Sequence, residues 1–365
     1  MYSSYSSDAV IFASHGSPSP SRPSTAMRQL KAFLNRPDIS DAAIIRHCLG
    51  RENLPGAPSL AENMIVIAFD VESWIHDTIL LTEIGFCIFD SREKRKIELA
   101  GPHGENLLES MYWYHVRIQG HAHLINPTGD PETNRFGTTR FLTIPEARNM
   151  LIECFSRAIS DERPELGNCP VVVLGHTLPT DLPKFLPAVG FDYLKVGTVV
   201  KQIGTQNMAR STGYWPGQPV GLDRLVKDIL GFEYRDQHTT CNHISMTVIA
   251  AVQMVLPDEL KVGQSKSLQD VVDHTEKVSK KIEWSHGSVT YCLRCNKRGN
   301  FKNQCRESIE PCEYCLKSGL KSHQDAARSH EWRKCLLDIT ETFRPTVEHR
   351  KAMRSRAMDM RSQQL

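Results

Sequence analysis

Residues 64–72 read MIVIAFDVE, a strand-length apolar run that ends in Asp70 and Glu72. A near-continuous apolar pattern is typical of a strand buried on both faces of a sheet, because other layers cover both of its sides. Successive side chains of a strand point to opposite faces, so two acidic residues separated by one position share a face. The run therefore predicts a central strand of an α/β sheet that carries two carboxylates at its end.

Two further stretches pair a histidine with a second polar residue. The stretch GHTLPTDL follows another apolar run and contains His176 and Asp181, five residues apart. The stretch HTTCNH begins with His238, ends in His243 and leads into an apolar helical pattern. Carboxylates and imidazoles bind metal ions and accept protons in hydrolytic sites, so these stretches are candidates for one site with the acidic pair.

The order and spacing of these residues resemble the DEDDh, or DnaQ-like, 3'→5' exonucleases. In that superfamily an Asp-x-Glu closes the first strand, a second Asp follows a His or Asn, and a His-x4-Asp opens the last helix. The similarity covers about residues 62–257, includes the word EIG at 83–85, and is greatest to a fungal group of exonuclease-like proteins. It implies an RNase H-like mixed sheet flanked by helices.

The resemblance also implies a role for each site residue. Asp70, Glu72 and Asp181 would hold two divalent ions, Mg²⁺ or Mn²⁺, and His238 would be the general base. The last motif of the superfamily ends in a fourth metal-binding carboxylate, and this position is His243 here. The resemblance therefore implies an exonuclease site in which one ligand has changed.

Two positions depart from the pattern of the fungal group. A neutral imidazole at His243 brings no negative charge to a site that concentrates it, and suits Zn²⁺ or Mn²⁺ better than Mg²⁺. Gly204 stands where the group has the Asp of an Asp-Thr-Gln word. These departures predict that catalysis is absent or impaired. The alternative is a working exonuclease that uses His243 as an unusual ligand.

The chain has 365 residues, 40% of them apolar, which is enough for one full-sized core and a small satellite module. We expect six segments. They are a disordered Ser/Pro-rich tail (1–25), a helical extension (26–61), the RNase H-like domain (62–260), a linker (261–290), a zinc-knuckle module (291–336) and a basic helical tail (337–365). Expected strands cover 64–72, 80–90, 111–120, 169–176 and 196–209. Expected helices cover 25–35, 38–50, 145–161, 181–190 with Thr180 as its cap, 221–231 and 242–256. A polar loop is expected over residues 123–143.

The net charge of +2 hides an asymmetry. Residues 261–365 contain 21 Lys and Arg against 13 Asp and Glu, whereas residues 1–260 contain 23 against 29. The basic C-terminal part predicts a polyanionic partner. No stretch has the pattern of a signal peptide or the length to span a bilayer, so we expect an intracellular protein, in the nucleus or cytoplasm, without a membrane partner.

Six of the 11 cysteines lie within residues 292–335. In an intracellular protein, clustered cysteines bind metal more often than they form disulfides. The spacing Cys292-x2-Cys295-x4-Asn300-x4-Cys305 resembles a zinc knuckle of the Cys-Cys-His-Cys type, with Asn300 in the histidine position. Because asparagine is a poor Zn²⁺ ligand, this unit offers three good ligands.

A second unit repeats the ending of the first. Cys312-x2-Cys315 is followed by His330-x4-Cys335, which together supply four ligands for a closed tetrahedral Zn²⁺ site. We favour these sequential knuckles, but a crossed arrangement is open. Ribbon-type spacing would join the two Cys-x2-Cys pairs in one site and leave a second site made of Cys305, His323, His330 and Cys335.

Basic and aromatic residues alternate in the first knuckle. Cations match phosphates and aromatic rings stack on bases, which is what binding of single-stranded nucleic acid requires. The residues predicted to contact it are Tyr291, Arg294, Lys297, Arg298, Phe301 and Lys302. We therefore expect a nucleic-acid-binding protein, RNA favoured over DNA, with a degenerate exonuclease-like domain, a pseudoenzyme. The alternatives are an active metal-dependent 3'→5' exonuclease and a protein-interaction scaffold.

Overall fold

A six-stranded mixed sheet forms the centre of the first of two compact units, Met1–Val289. In the computed structural model, which describes residues 23–178 and 188–337, its strand order is β4-β3-β2-β1-β5-β6. Strands β1, β2 and β3 pair antiparallel, whereas β4, β5 and β6 run parallel to β3, β1 and β5. The strands are β1 (Ile65–Trp74), β2 (Asp77–Asp90), β3 (Tyr112–Ile118), β4 (Thr138–Leu142), β5 (Val171–Gly175) and β6 (Val199–Gly204). The predicted mixed α/β sheet is confirmed.

Helices cover both faces of this sheet. They are α1 (Thr25–Leu34), α2 (Asp41–Cys48), α3 (Ser91–Lys94), α4 (Glu105–Glu109), α5 (Ile144–Phe155), α6 (Thr205–Ser211), α7 (Leu222–Arg224) with the π-helical turn Leu225–Leu230, α8 (Thr240–Val255) and α9 (Leu268–Ser279). Short 3₁₀ turns cover Ser59–Asn63, Pro102–Gly104, Pro131–Thr133, Pro164–Leu166, Tyr193–Lys195 and Asp258–Leu260. Among the helices of residues 23–178 and 188–337, none is long and apolar enough to cross a membrane.

Strand β1 is buried on both faces, as its apolar run predicts. Val66 and Ala68 belong to one apolar cluster, and Ile65 and Ile67 belong to the cluster on the opposite face. Because side chains alternate along a strand, the two acidic residues at the end of β1 continue the row of Val66 and Ala68. The carboxylates therefore lie on the face of the sheet that the first cluster covers.

Helix α8 packs on that same face, since its apolar residues share a cluster with Val66 and Ala68. The helix has 16 residues, and His243 is the one that is not buried. A helix that is apolar around its whole circumference is a core element, so the position of its single accessible polar side chain is set by the packing of all the others. His243 lies in the first turn of α8.

Three expected elements differ from the structure. Strand β4 lies inside residues 123–143, which were predicted to form a loop. It is an edge strand with three partly exposed residues, so it lacks the apolar run that marks a buried strand. The last strand, predicted over 196–209, ends at Gly204, and the chain continues as α6. The helix predicted over 145–161 ends at Phe155.

Residues 261–290 do not form a plain linker. They contain α9, which begins with a capping box between Ser267 and Asp270. Leu268 and Val271 of this helix are buried in the cluster that also contains α1, α2 and α8. The predicted N-terminal extension and linker are therefore both part of the first compact unit. Predictions for residues 1–22, for the helix after Thr180 and for the tail after residue 337 lie outside the described residues.

The second compact unit is Thr290–Leu365, of which residues 290–337 are described. Its helices are α10 (Glu313–Lys317) and α11 (Lys321–Ala326), and 3₁₀ turns cover Lys302–Gln304 and Trp332–Lys334. Its buried apolar cluster consists of Cys312, Cys315, Ala327 and Cys335. So small a core cannot balance the conformational entropy of folding, and three of its four members are metal-binding residue types.

Candidate functional site

The acidic pair of β1 faces two unlike positions of β2. In the antiparallel register Asp70 lies opposite Gly85 and Glu72 lies opposite Glu83. The register is interrupted by a bulge immediately after Glu72, and bulges recur beside active sites because they redirect the following side chains. Asp70 and Glu72 are both partly buried. The end of β1 therefore presents two carboxylates on one face, as predicted.

Gly85 allows the start of α8 to approach this pair. A Cβ atom at Gly85 would lie 2.5 Å from the backbone nitrogen of Cys241 and 2.7 Å from the backbone oxygen of Thr240. Such separations are too short for any side chain, so only glycine permits this contact between β2 and the first turn of α8. The glycine of the EIG word thus positions the helix that carries His243 against the strand that carries Asp70.

His243 lies directly against Asp70. The imidazole Nδ1 is 3.3 Å from the carboxylate Oδ2, and the two side chains are 31% and 23% exposed. The two atoms lack hydrogen-bond alignment, so the contact is electrostatic. The structure therefore brings the changed ligand position and the first carboxylate of the motif together, and both can be reached by solvent.

Tyr234 borders the same site. Its ring centroid is 6.4 Å from that of His243. Burial raises the pKa of the Tyr234 phenol, and the nearby carboxylates of Asp70 and Glu72 raise it further. The phenol stays protonated and donates a hydrogen bond to the backbone oxygen of Gln237 at 3.3 Å. Tyr234 was not predicted as a site residue, because no local motif marks it.

His176 is buried behind the site and is not part of its surface. One ring nitrogen is 2.7 Å from the Thr205 hydroxyl and the other is 3.0 Å from the Val220 backbone oxygen. Burial lowers the pKa of His176 to about 4, and the nearby His243 lowers it further. A neutral, doubly hydrogen-bonded imidazole ties β5 to the start of α6. The sequence analysis placed His176 in a candidate site stretch and predicted no structural role for it.

His238 lies in the segment before α8 and its side chain is exposed. The backbone around it is held by Asn242, whose side chain accepts a hydrogen bond from the Arg135 backbone and donates to the backbone oxygens of Thr133 and Asp236. A Cβ at Gly129 would lie 2.3 Å from the His238 backbone oxygen. The loop after β3 and the segment before α8 therefore pack closely, with the His238 imidazole at the surface.

A third carboxylate stands beside the acidic pair. Glu83 is only 4% exposed, and its Oε2 is 2.9 Å from Nε2 of His115, which is fully buried. The other nitrogen of His115 is 2.8 Å from the Thr139 hydroxyl. Directly opposite residues of antiparallel strands have Cβ atoms about 4.5–5.5 Å apart, so Glu83 adjoins Glu72. The sequence identified Glu83 only as part of a fold motif.

The remaining predicted ligand, Asp181, lies outside the described residues. Residues 23–178 and 188–337 contain three groups of His, Cys, Asp or Glu whose ligand atoms all lie within 4.8 Å of one another. Two of them are in the second unit, and the third consists of Glu105, Glu109 and His274. Within the described part of the chain, the predicted exonuclease site is thus an acidic pair with an adjoining histidine and no closed ligand group.

The sequence of residues 65–254 matches a family described as the DNA polymerase III subunit epsilon-like, C-terminal domain, of the DEDDh type. The chain belongs to this family. The match extends from β1 into the last turn of α8, which confirms the DEDDh exonuclease superfamily and the RNase H-like fold of the sheet. No curated protein matches the chain. The fungal grouping stays a prediction.

Within this DEDDh-type domain, the Gly204 departure is not required by packing. A Cβ at Gly204 would meet its nearest neighbour, the His176 backbone oxygen, at 3.5 Å, which is an ordinary contact. The backbone there has φ −104° and ψ 129°, a conformation open to any residue. The fold therefore accepts an aspartate at this position, and its absence is a change of chemistry rather than of structure.

The second unit forms a four-ligand group from Cys312, Cys315, His330 and Cys335. The Cys315 sulfur is 3.7 Å from both the His330 Nε2 and the Cys335 sulfur. The other nitrogen of His330 is 3.0 Å from the Ser329 hydroxyl, which orients the ring as second-shell partners of zinc ligands do. Burial lowers the pKa of His330, so the imidazole is the neutral form that binds metal. These residues fit a closed Zn²⁺ site.

The first knuckle brings together Cys292, Cys295 and Cys305. The geometry therefore favours the sequential grouping of the ligands over the crossed grouping. His323, which is a ligand in the crossed arrangement, is instead 2.7 Å from the Ser318 hydroxyl.

The predicted nucleic-acid-binding residues divide into two groups. Tyr291 is buried and its hydroxyl accepts a hydrogen bond from Lys334, so its ring is not available for stacking on a base. Arg294 donates to the Cys305 sulfur and to two backbone oxygens, which makes it a structural cation. A nucleic-acid contact by these two residues stays a prediction, which their partners within the unit do not favour. The residues of the predicted set that are exposed are Lys297, Arg298, Phe301 and Lys302.

Proposed function

We propose that this protein binds single-stranded nucleic acid through its C-terminal unit, with RNA favoured over DNA, and that catalysis by its exonuclease-like domain is absent or impaired. One observation carries the second half of this proposal. His243 is the single residue of α8 that is not buried, and its imidazole lies 3.3 Å from Asp70 where the superfamily has a metal-binding carboxylate.

A histidine at position 243 suits a divalent ion less well than a carboxylate does. Two-metal hydrolysis needs hard oxygen ligands around two ions, and bound Mg²⁺ or Mn²⁺ would supply the activation of the attacking water. A protonated His243 would form an ion pair with Asp70 and repel a cation, while a neutral one offers only a softer nitrogen. The first turn of α8 adds the positive end of a helix dipole. The described residues thus fit a pair of Mg²⁺ ions poorly.

The binding half of the proposal is supported by the surface of the second unit. Arg298 and Lys302 are exposed cations on either side of Phe301, whose ring is 44% exposed. Cations beside an accessible ring suit phosphates and stacked bases. Zn²⁺ held by the four-ligand group would supply the folding free energy of this small unit. The basic balance of residues 261–365 adds attraction for a polyanion.

A working exonuclease is the second candidate, and the same contact favours it. Two ligand atoms 3.3 Å apart are close enough to bind one ion, so His243 and Asp70 suit a Mn²⁺ or Zn²⁺ ion. In this case Asp70, Glu72 and Asp181 would bind metal, and the exposed His238 would take the proton of the attacking water. This candidate requires metal-dependent cleavage by the unaltered chain.

A nuclease and binding assay on the zinc-loaded full chain tests the proposal. Labelled single-stranded RNA and DNA are incubated with Mg²⁺ and, in parallel, with Mn²⁺. We expect retention of RNA and no cleavage by the wild type, and metal-dependent shortening from the 3' end by His243→Asp. Cleavage by the wild type that is lost in Asp70→Asn would support the exonuclease. Absence of both cleavage and retention would support a protein-interaction scaffold.

The location of binding is tested with a chain that ends at residue 289, the boundary of the first compact unit. Its affinity for single-stranded RNA in the absence of divalent ions should fall steeply relative to the full chain. Binding by the full chain should weaken as salt rises, because phosphate neutralisation releases counterions. A truncated chain that binds RNA as tightly as the full chain would show that the binding surface lies in the exonuclease-like domain.

A further inference from the structure

The two cysteine groups of the second unit have the same number of sulfurs and differ in the fourth ligand. His330 completes the group of Cys312, and its Nε2 approaches the Cys315 sulfur. The group of Cys292 has three sulfurs within 4.8 Å of one another and no fourth His, Cys, Asp or Glu among the described residues. A zinc site with three protein ligands keeps an open or weakly held position.

In the sequence spacing of the first group, Asn300 takes the position of the fourth ligand. Its side-chain oxygen differs from the other polar side-chain atoms of the unit. Among residues 290–337 as the structure describes them, Asn300 Oδ1 is the buried side-chain oxygen or nitrogen that has no hydrogen-bond partner. A buried acceptor without a partner destabilises the folded state. A metal ion is a partner that an amide oxygen can accept, and hard oxygen donors do bind Zn²⁺.

The backbone holds this group in a knuckle conformation. Asn296 adopts a left-handed φ of 61°, and the Cys292 backbone nitrogen donates to the Lys297 oxygen at 2.9 Å. The Cys295 backbone nitrogen lies 3.5 Å from the Cys292 sulfur. These contacts hold the three sulfurs together, so the group is a built site rather than a chance meeting of thiols.

The surroundings of the first group favour weaker binding of an ion than those of the second group. The Arg294 guanidinium donates to the Cys305 sulfur at 3.3 Å, which withdraws electron density from one ligand. Cys295 and Cys305 are only half-buried, whereas all three cysteines of the second group are buried. Access of water and external ligands to the first group is therefore greater.

We propose that the first group is a second zinc site in which Asn300 Oδ1 is the fourth ligand, and that its ion exchanges readily with solution. The second group holds a permanent structural ion. An external thiol or water displaces the amide oxygen without unfolding the knuckle, since the three sulfurs keep the ion. This inference rests on the proposed zinc-binding function of the unit.

Release of zinc to a colorimetric chelator, measured on the zinc-loaded full chain, tests the inference. The wild type should carry two ions and lose one at least tenfold faster than the other. Asn300→His should slow the fast ion until both leave together. Asn303→His adds the same imidazole at an exposed position three residues further along the chain and should behave as the wild type.

A second variant and a spectroscopic arm keep the test decisive. Asn300→Ala should lose the fast ion during desalting and keep the slow one. In chains loaded with Co²⁺, a small thiol should alter the absorption of the fast site in the wild type and leave Asn300→His unchanged. A wild type that carries one ion, or two that leave together, would overturn the inference.

RNA affinity measured on the same preparations separates this inference from the proposed function. Two release phases without RNA retention would contradict nucleic-acid binding and leave the exchangeable site standing. A single slow phase with RNA retention would contradict the exchangeable site alone.

Discussion

The exonuclease-like site and the cysteine unit differ in whether the fold depends on the candidate metal ligands. In the first unit a large apolar core positions the end of β1 and the start of α8, and the candidate ligands that the structure describes, Asp70, Glu72 and His243, lie outside that core. In the second unit three of the four buried members of the core are the cysteines themselves. A ligand can therefore change in the first unit without loss of the fold. In the second unit the cysteines form most of the core, so a change of ligand also removes part of the core.

This difference indicates where a ligand can change while the fold is kept. Where the DEDDh superfamily has its last carboxylate this chain has His243, and the packing around Gly204 accepts an aspartate, so the fold depends on neither acidic residue. The four-ligand group of the second unit is complete. Loss of a ligand from that group would therefore cost the fold of the second unit, whereas loss of a carboxylate from the first unit would change only its chemistry.

The largest effect is expected at the complete cysteine group. Cys315→Ser removes a buried sulfur ligand and should abolish the structural ion and unfold the second unit, because zinc supplies its folding free energy. RNA affinity should fall by about 100-fold or more, as metal-dependent folding free energies are large. Zinc content and the NMR dispersion of residues 290–337 measure the change.

The matched change in the first unit is Asp70→Asn, which should leave the fold and RNA affinity as they are. Ser308→Ala, at an exposed position of the second unit, is the control for Cys315→Ser. A Cys315→Ser chain that keeps its zinc and its fold would remove the contrast between the two units.

A smaller effect is expected from His176 as pH falls. The folded chain holds the pKa of this histidine at about 4, whereas the unfolded value is about 6.5. Below pH 6.5 the unfolded chain takes up a proton that the folded chain does not accept until about pH 4, so stability falls through this window. Near 1.4 kcal/mol for each pKa unit, the loss approaches about 3 kcal/mol.

His176→Asn removes this titration and retains a donor for the Val220 backbone oxygen. Denaturant unfolding of the first unit at pH 7 and pH 4 measures it. The stability advantage of the wild type over the variant should shrink by about 2–3 kcal/mol between these pH values. Parallel pH dependences for the two chains would show that His176 does not support the site as a neutral imidazole.

The smallest effect is expected at Phe301. If its exposed ring stacks on a base, Phe301→Ala should weaken RNA binding by about 1–3 kcal/mol. Tyr291→Phe is the matched control, because the Tyr291 ring is buried and the variant loses the hydroxyl contacts with Lys334 and Asn296. Fluorescence anisotropy with a labelled oligonucleotide measures both. Equal affinities of all three chains would place the contact surface elsewhere.

Local patterns in the sequence were sufficient for the elements that carry the candidate site. The apolar run of β1, the glycine of EIG and the apolar circumference of α8 are each readable within a few residues, and the structure joins them at Asp70 and His243. The sequential grouping of cysteines was equally readable, because ligand spacing within a knuckle is short.

Features that depend on distant partners were not predictable. Strand β4 is defined by its pairing with β3 rather than by its own half-exposed residues. The buried contact between Glu83 and His115 joins residues 32 positions apart. His176 acquires its role from Thr205 and Val220, which no local pattern links to it. Such contacts arise from the fold and not from any one segment.

The most direct test of the central claim is the effect of Mg²⁺ on the stability of the first unit in the wild type and in His243→Asp. A ligand stabilises the folded state by RT ln(1 + [L]/Kd), which is about 1–2 kcal/mol at ten times Kd. We expect Mg²⁺ to leave the unfolding free energy of the wild type unchanged and to raise that of His243→Asp, with the gain lost in His243→Asp combined with Asp70→Asn. Equal stabilisation of the wild type and His243→Asp by Mg²⁺ would contradict the claim that this domain keeps its fold and has lost its metal site.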